Sequence, residues 1–489
     1  MQEIEHQAFA TGVSPADLMD QAGAGIAQAI KQFHPRPGTA ILYLGKGNNA
    51  GDALVAARHL LAKGWRIWAR LAFPLGSFKN LPSDHFASLK KQITTQPHSL
   101  HPSDLPSGPV ILLDGLLGIG ATGPLSPSLA ALTAEMNALR ASAHVQTIAM
   151  DLPSGLDADS GIPHPHCLQA DLTLTVAQVK AGLVADTATN HVGRLALIPL
   201  PDLIATSGDP AALITPTFLR PLLPRRSFDT HKTQAGRLLI IAGSTGLLGA
   251  AELACLGALH SGAGMVTLLV KPNLYQLLAS RLPPEVMVKS VTSYSAALDL
   301  PHDALVIGPG LGRAHDPEIL DLLSKNPAPT VIDADALNAL APILPSFSQP
   351  GPRLLTPHPG EWQRLAPDLA TPSLTRRQQV EAFTARHPQL TLLLKGARTI
   401  IAHHGHPTCY NSTGHPGMAT GGMGDVLSGV IGSLLAQKIP THQAAPLGAW
   451  LCGRAAEHAA LHQHPNATLP TSVATHLGHA LRDLTELAF

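Results

Sequence analysis

Apolar, strand-like runs alternate with helix-patterned stretches along this chain, and that alternation leaves few folds open. A first series of runs is Ala40–Leu44, Ile67–Phe73, Val110–Leu113, Thr147–Met150 and Leu172–Val176. A second is Leu238–Ala242, Met265–Val270, Ala304–Ile307, Thr330–Ile332, Leu354–Leu355 and Thr391–Leu394. Helical periodicity fills the gaps, as over Ala53–Lys63 and Ala250–His260. A strand with no polar alternation is buried on both faces, and helices between such strands supply the cover. The pattern therefore predicts α/β architecture with parallel sheets covered on both sides. The 489 residues exceed one ordinary core. The Pro-rich, small-residue stretch Pro199–Arg226 separates the two series. The expected organisation is a first domain over 1–205, a linker over 206–225 and a second domain over 226–489. Pro74–Leu105 reads as a surface excursion from the first sheet.

Composition narrows the function classes. A hydrophobic fraction of 45% is enough for large cores, and a net charge of +0 argues against a broad basic face for nucleic acid. No apolar run approaches the ~18 residues of a membrane span. The opening MQEIEHQAFATG has neither a basic nor an apolar leader segment. Cys167, Cys255, Cys409 and Cys452 are far apart with no CxxC, as expected of a reduced, cytoplasmic chain. The 26 histidines are scattered, and His403-His404-Gly405-His406 reads as a solvated polar turn rather than a metal site.

Three loops of the first half gather chemistry. After AILYL comes GKGNNAGD, in which Gly45, Gly47 and Ala50 fit a dinucleotide-type turn opening a helix. The acid expected at the end of the next strand is replaced by Arg70 and Leu71, which argues against ordinary ribose recognition. Asp114 and Asp151 begin the other two loops. Each Asp alone would be a helix cap. Three such loops at the carboxyl ends of parallel strands favour a shared site for a hard cation or a sugar.

In the second half, Asn411–Gly429 (NSTGHPGMATGGMGDVLSG) sets glycines and one aspartate, Asp425, before an apolar-periodic helix. Glycines bring backbone N–H groups close to an anion, and the helix start adds unpaired N–H groups. Asp425 there is either a base for a hydroxyl that attacks phosphate or simply a helix cap; local pattern leaves both open. Lys395 after an apolar strand is placed as an exposed lysine that reaches phosphate. GPGLG, Asp333, Asp335 and His358 each admit a purely structural reading, but their order is specific.

Together these residues carry a resemblance. GKGNNAGDALVAARHL, DGLLGIGATG and DLPSGLDADSG, with LMDQAG at Leu18–Gly23, resemble the N-terminal epimerase domain of the bifunctional NAD(P)H-hydrate repair enzymes, a Rossmann-like fold. From about Phe228 to Ala459 the chain resembles the ADP- or ATP-dependent NAD(P)H-hydrate dehydratase domain, a ribokinase-like α/β fold. The resemblance implies K+ at Asn49, Asp114 and Ser154, and Asp151 as acid/base. It places the hydrated nucleotide (NADHX or NADPHX) against Asn48, Asn49, Ala50, Gly51 and Asp52, and against Gly118, Ile119, Gly120, Ala121, Thr122, Gly123 and Pro124. In the second half it implies substrate contacts at Ala263, Gly310, Gly312 and His358. ADP or ATP with Mg2+ would meet Lys395, Gly396, Ala397, Arg398 and Thr399, and Gly421, Gly422, Met423 and Gly424, with Asp425 as base. Lys46, Ala50, Ala53, Thr233 and Met423 depart from the family's motifs. A homo-oligomer with small-molecule substrates and no nucleic-acid or membrane partner is expected. The alternative is a ribokinase-class small-molecule kinase with a non-catalytic N-terminal binding domain; a third is a non-enzymatic scaffold.

Overall fold

The computed structural model describes residues 10, 12–142, 144–203, 212–347, 350–486 and 489. It divides into two compact units, residues 1–211 with Phe489, and residues 212–488. The leader-free reading of the first residues falls mostly outside the described residues, as does the linker up to residue 211.

The first unit is a seven-stranded sheet of β1 (Thr39–Leu44), β2 (Arg66–Leu71), β3 (Ile93–Thr95), β4 (Val110–Gly115), β5 (Val145–Met150), β6 (Leu172–Val176) and β7 (Arg194–Ile198). Its order is β3-β2-β1-β4-β5-β6-β7, and every pairing is parallel. Helices α1 (Pro15–Phe33), α2 (Asn48–Leu61), α3 (Asn80–Leu89) and α4 (Pro127–Leu139) accompany it. Ser14 caps α1 by accepting from Asp17 N. Ile26 and Ile30 on its inner face are wholly buried, each contributing roughly 1.5–3 kcal/mol. The strand order reverses between β1 and β4, which opens a crevice at their carboxyl ends. Pro74–Leu105 is less of an excursion than expected, because it holds α3 and the edge strand β3.

The second unit contains β8 (Ala212–Leu213), β9 (Arg237–Ile241), β10 (Met265–Val270), β11 (Val286–Ser290), β12 (Ala304–Ile307), β13 (Thr330–Ile332), β14 (Arg353–Leu355), β15 (Leu390–Leu394), β16 (Ile400–His403) and β17 (Cys409–Tyr410). The order is β11-β10-β9-β12-β13-β14-β15-β16-β17-β8. Strands β9 to β15 are parallel, whereas β16 runs antiparallel to both β15 and β17. The expected linker over 206–225 is corrected from Ala212 on: β8 pairs with β17 as an edge strand of this sheet. The main helices are α5 (Leu248–His260), α6 (Pro272–Ala279), α7 (Asp316–Lys325), α8 (Ala334–Leu340), α9 (Pro359–Leu365), α10 (Arg376–Arg386), α11 (Met423–Ala436), α12 (Thr441–His462) and α13 (Pro470–Glu486). Helices α5 and α11 touch backbone to backbone. A Cβ on Gly429 would fall 1.9 Å from Ala254 O, and one on Gly257 2.4 Å from Val426 O. That contact seats the start of α11 beside the carboxyl ends of the parallel strands.

Candidate active sites

In the first unit the loops after β1, β4 and β5 meet. A Cβ on Gly45 would strike Leu116 O at 2.0 Å, so glycine is what lets the first two loops touch. Asn49, in the first turn of α2, is buried and donates from Nδ2 to Leu117 O at 2.7 Å and to Met150 O at 3.5 Å. Asp114 is wholly buried and accepts from Ser154 N and Ser154 Oγ at 2.8 Å, and from Leu116 N at 3.1 Å. Burial pushes its carboxyl up to about 6, although the Ser154 and Leu116 bonds pull the other way. The structure thus brings Asn49, Asp114 and Ser154 together. A buried carboxylate held only by neutral donors, ringed by amide, hydroxyl and carbonyl oxygens, fits a hard cation of low charge.

Asp151 has φ +65°, a strained value for a non-glycine residue. Its carboxylate pairs with Lys180 and accepts from Val176 N at 3.1 Å. Lys180 also bonds Thr175 Oγ1 at 3.1 Å and Val176 O at 3.0 Å. The sequence reading missed Lys180, which follows β6 in VAQVKAG. Gly118, Ala121 and Gly123 line one small recess with Leu152, Pro153, Gly155, Asp157 and His164. Ile119, Gly120, Thr122 and Pro124 belong to the same loop without lining that recess. Ala50 and Gly51 turn inward: Ala50 is buried in the core, and a Cβ on Gly51 would lie 2.4 Å from Met19 Sδ. Of the Asn48–Asp52 run, Asn48 is exposed and Asp52 half-buried, so these two offer accessible side chains. Arg70 forks onto Glu135 at 3.0 and 2.8 Å inside the fold, a structural pair rather than a ribose contact.

In the second unit α11 begins after Gly422, whose φ of +96° makes it the N-cap. Asp425 is therefore not the cap, and the capping alternative falls. It sits in the first turn, half-buried. Burial, then the Asp333 and Glu361 carboxylates, push it up to about 6 against the opposing charge of Lys395. Lys395 Nζ donates to Asp333 Oδ1 at 2.8 Å and lies 3.8 Å from Glu361 Oε2. Burial works to lower its pKa, but Asp333 and Glu361 hold the ammonium above its ordinary range. Its side chain is 20% exposed, so the expected exposed lysine is instead a paired, recessed one. Ser428 Oγ donates to Asp333 Oδ2 at 2.7 Å. Gly424 keeps this group close, since a Cβ there would lie 3.3 Å from Lys395 Nζ.

The remaining expected residues fall as follows. His358 caps α9: its Nδ1 accepts from Gly360 N at 3.0 Å and Glu361 N at 3.3 Å, and His358 N donates to Glu361 Oε2 at 2.8 Å. An accepting Nδ1 fixes the proton of the neutral ring on Nε2, on a side chain that is half exposed. Gly312 N donates to Asp335 Oδ2 at 2.8 Å. A Cβ on Gly310 would lie 2.8 Å from Ala250 Cβ. Ala263 is a correction. It precedes β10, at the amino edge of the parallel sheet, whereas Gly310, His358 and Lys395 follow their strands. Ala250 is the alanine that stands beside Gly310. Gly396 and Ala397 are exposed and Arg398 is buried. Thr399 Oγ1 donates back to Gly396 O at 3.1 Å. Arg376, which the sequence reading missed, holds this loop through Arg398 O at 2.9 Å and Leu394 O at 3.1 Å. Gly421 is exposed, and Met423 packs on the core beneath it.

Fold and site define a class: a Rossmann-like unit with an oxygen-lined crevice, joined to a ribokinase-like unit with a carboxylate at a helix start. Residues 15–182 match the family model described as YjeF-related protein N-terminus, and 238–478 the one described as NAD(P)H-hydrate dehydratase. The bifunctional NAD(P)H-hydrate repair enzyme Nnr of Moorella thermoacetica is 38% identical, over 96% of this chain and 93% of that protein. The Coxiella burnetii enzyme of the same name is 34% identical, over 98% and 97%. The crystal structure of ADP/ATP-dependent NAD(P)H-hydrate dehydratase from Bacillus subtilis, co-crystallised with ATP/Mg2+, is 29% identical with a TM-score of 0.50, covering 56% of this chain and 99% of that one. The chain belongs to the family of bifunctional NAD(P)H-hydrate repair enzymes.

Proposed function

We propose that the first unit interconverts the R and S epimers of NADHX and NADPHX, and that the second dehydrates the S epimer to NAD(P)H at the expense of ADP or ATP. One observation carries the second activity: Asp425, its pKa raised to about 6, stands in the first turn of α11 beside Lys395, Asp333 and Glu361. A carboxylate with that pKa is mostly ionised near neutrality yet basic enough to take a proton. Asp425 removes the proton of the ring hydroxyl as its oxygen attacks the terminal phosphorus, and the bond to the departing nucleotide breaks. The N–H groups at Gly421–Gly424 face the charge that develops on the transferring group. The nitrogen lone pair of the ring then expels phosphate, a proton leaves the adjacent carbon, and the reduced ring is restored. Mg2+ arriving with the nucleotide supplies neutralisation of phosphate charge, and the Asp333 and Glu361 carboxylates are the oxygen donors that would hold it.

In the first unit, Asn49, Asp114 and Ser154 would hold K+, which fixes the anionic end of the substrate crevice. Asp151, oriented by its ion pair with Lys180, is the acid/base at the hydrated carbon. Four free cysteines suit a reducing cytoplasm, and among the described residues no helix is long and apolar enough to cross a membrane. We further propose a homo-oligomeric assembly. The test is incubation of purified protein with an epimer mixture of NADHX and each nucleotide, following the absorbance of regenerated NADH. Complete conversion with release of phosphate is expected. A stable phosphate ester would make the second unit a kinase instead.

A further inference from the structure

β16 ends on His403, the turn after it carries His406, and His442 lies in the first turn of α12. The polar turn is therefore not simply solvated, because the fold sets a helix against it. One ring nitrogen from each of His403, His406 and His442 lies within 4.8 Å of the others. Ring centroids are 4.0 Å apart for His406 and His442, 5.3 Å for His403 and His406, and 5.5 Å for His403 and His442. His403 is also oriented from behind. Its Nδ1 lies 2.9 Å from Thr391 Oγ1, and that hydroxyl gives its own proton to Thr441 Oγ1 at 2.7 Å. Thr391 thus accepts from Nδ1–H, which leaves the Nε2 lone pair for a ligand, the support a metal-bound imidazole ordinarily has.

The cluster borders a cavity of about 380 Å³ whose walls include Pro329, Pro352, Gln389, His403 and His442. Gln389, Pro352 and Pro329 precede β15, β14 and β13. The cluster therefore lies at the amino edge of the sheet, while Lys395 and Asp333 follow the opposite ends of the strands. Three imidazole nitrogens with no carboxylate among them suit a late first-row divalent ion and disfavour K+ or Mg2+.

We propose that His403, His406 and His442 form a binding site for one such ion, Zn2+ or a close relative. The cavity side leaves a fourth position to water. The ion would tie the β16–β17 turn to the start of α12. His406, exposed in its turn, swings out of its stack with His442 to complete the site.

The test uses the full chain, stripped with a chelator and then titrated with Zn2+ alone by calorimetry. Co2+ absorption in the visible serves as a second readout. A second group of adjacent histidine rings, His458, His476 and His479, with neighbouring centroids 5.5 and 5.6 Å apart, provides the control. The variant His406→Ala/His442→Gln should bind one equivalent less than the unaltered chain. It should lose the intense four-coordinate Co2+ bands and the Zn2+-induced rise in unfolding midpoint. The variant His476→Gln/His479→Gln should keep all three. Equal stoichiometry and equal Co2+ spectra for the unaltered chain and His406→Ala/His442→Gln would overturn the proposal. So would loss of the bands only in His476→Gln/His479→Gln.

Discussion

Three aspartates sit in three different electrostatic settings, and each setting suits a different task. Asp425 faces two carboxylates and one ammonium, Asp114 faces only neutral donors, and Asp151 is paired with Lys180. Asp425→Asn keeps the shape and removes the base. Dehydration should fall about 10²–10⁴-fold with nucleotide affinity nearly unchanged, read by turnover and calorimetry. In the unaltered enzyme, dehydration should rise with pH through about 6 and then level, because the base must be ionised. Lys395→Ala should move that limb to higher pH, since Lys395 is the charge that lowers Asp425. A limb that stays put would separate Lys395 from the base. Asp114 gives a sign that runs against the usual carboxylate. Its folded value, about 6, lies above the ordinary aspartate value of 3.8, so the folded state keeps a proton that the unfolded chain has lost. Stability from this group is full below the unfolded value, declines as pH rises between the two, and is level above about 6. K+ bound to the anion should offset that loss. K+ should therefore raise the unfolding midpoint at about pH 8 but not at about pH 5, relative to a bulky cation at equal ionic strength. Asp114→Asn should abolish the difference. An equal effect of K+ in the variant would remove the cation from this site.

At the scale of elements, the start of α11 is the piece on which the second site depends. Gly422 holds φ +96°, and a Cβ there would fall 2.5 Å from Leu253 Cδ1. Gly422→Ala should cost about 1–3 kcal/mol in unfolding free energy and slow dehydration as Asp425 shifts. At Gly421 a Cβ meets nothing within 4 Å, so Gly421→Ala should leave stability nearly unchanged. Equal destabilisation of the two variants would mean that the αL cap is not what positions this turn. The same element shows what the sequence makes legible. Buried strands such as Met265–Val270, Ala304–Ile307 and Leu172–Val176 are apolar runs broken by nothing more polar than threonine, and the structure has them at those bounds. Edge strands escape that signal: β3 is ITT with two exposed threonines, and β11 is VMVKS with an exposed Lys289 and Ser290. A half-solvated strand needs no apolar run, so nothing in composition marks it. The glycine–aspartate loop was legible for the same local reason, since its residues are adjacent. The pairing of Lys395 with Asp333, and of Lys180 with Asp151, was not, because those partners stand 62 and 29 residues apart. Ala263 and Ala250 are both alanines in small-residue stretches; only the strand direction separates them.

At the scale of the molecule, each unit carries its own loops at its own sheet's carboxyl edge, and no residue of one set belongs to the other. That separation predicts two chemistries acting in sequence on one pool of substrate rather than one shared site. Asp151→Ala should abolish enzymatic epimerisation and leave the initial nucleotide-dependent rate on the S epimer untouched. With an epimer mixture, the progress curve of this variant should show a fast phase that stops at the S fraction. Only slow spontaneous epimerisation should follow, while the unaltered enzyme runs to completion. The variant also releases Lys180 from its carboxylate partner, so its fold needs an independent check by thermal unfolding. Lys180→Met provides a second route to the same answer: it leaves Asp151 without the ammonium that orients it, and should slow the second phase while sparing the first. A slower first phase in either variant, with the chain still folded, would show that the first unit's crevice feeds back on dehydration. The two units would then have to be treated as one coupled catalyst.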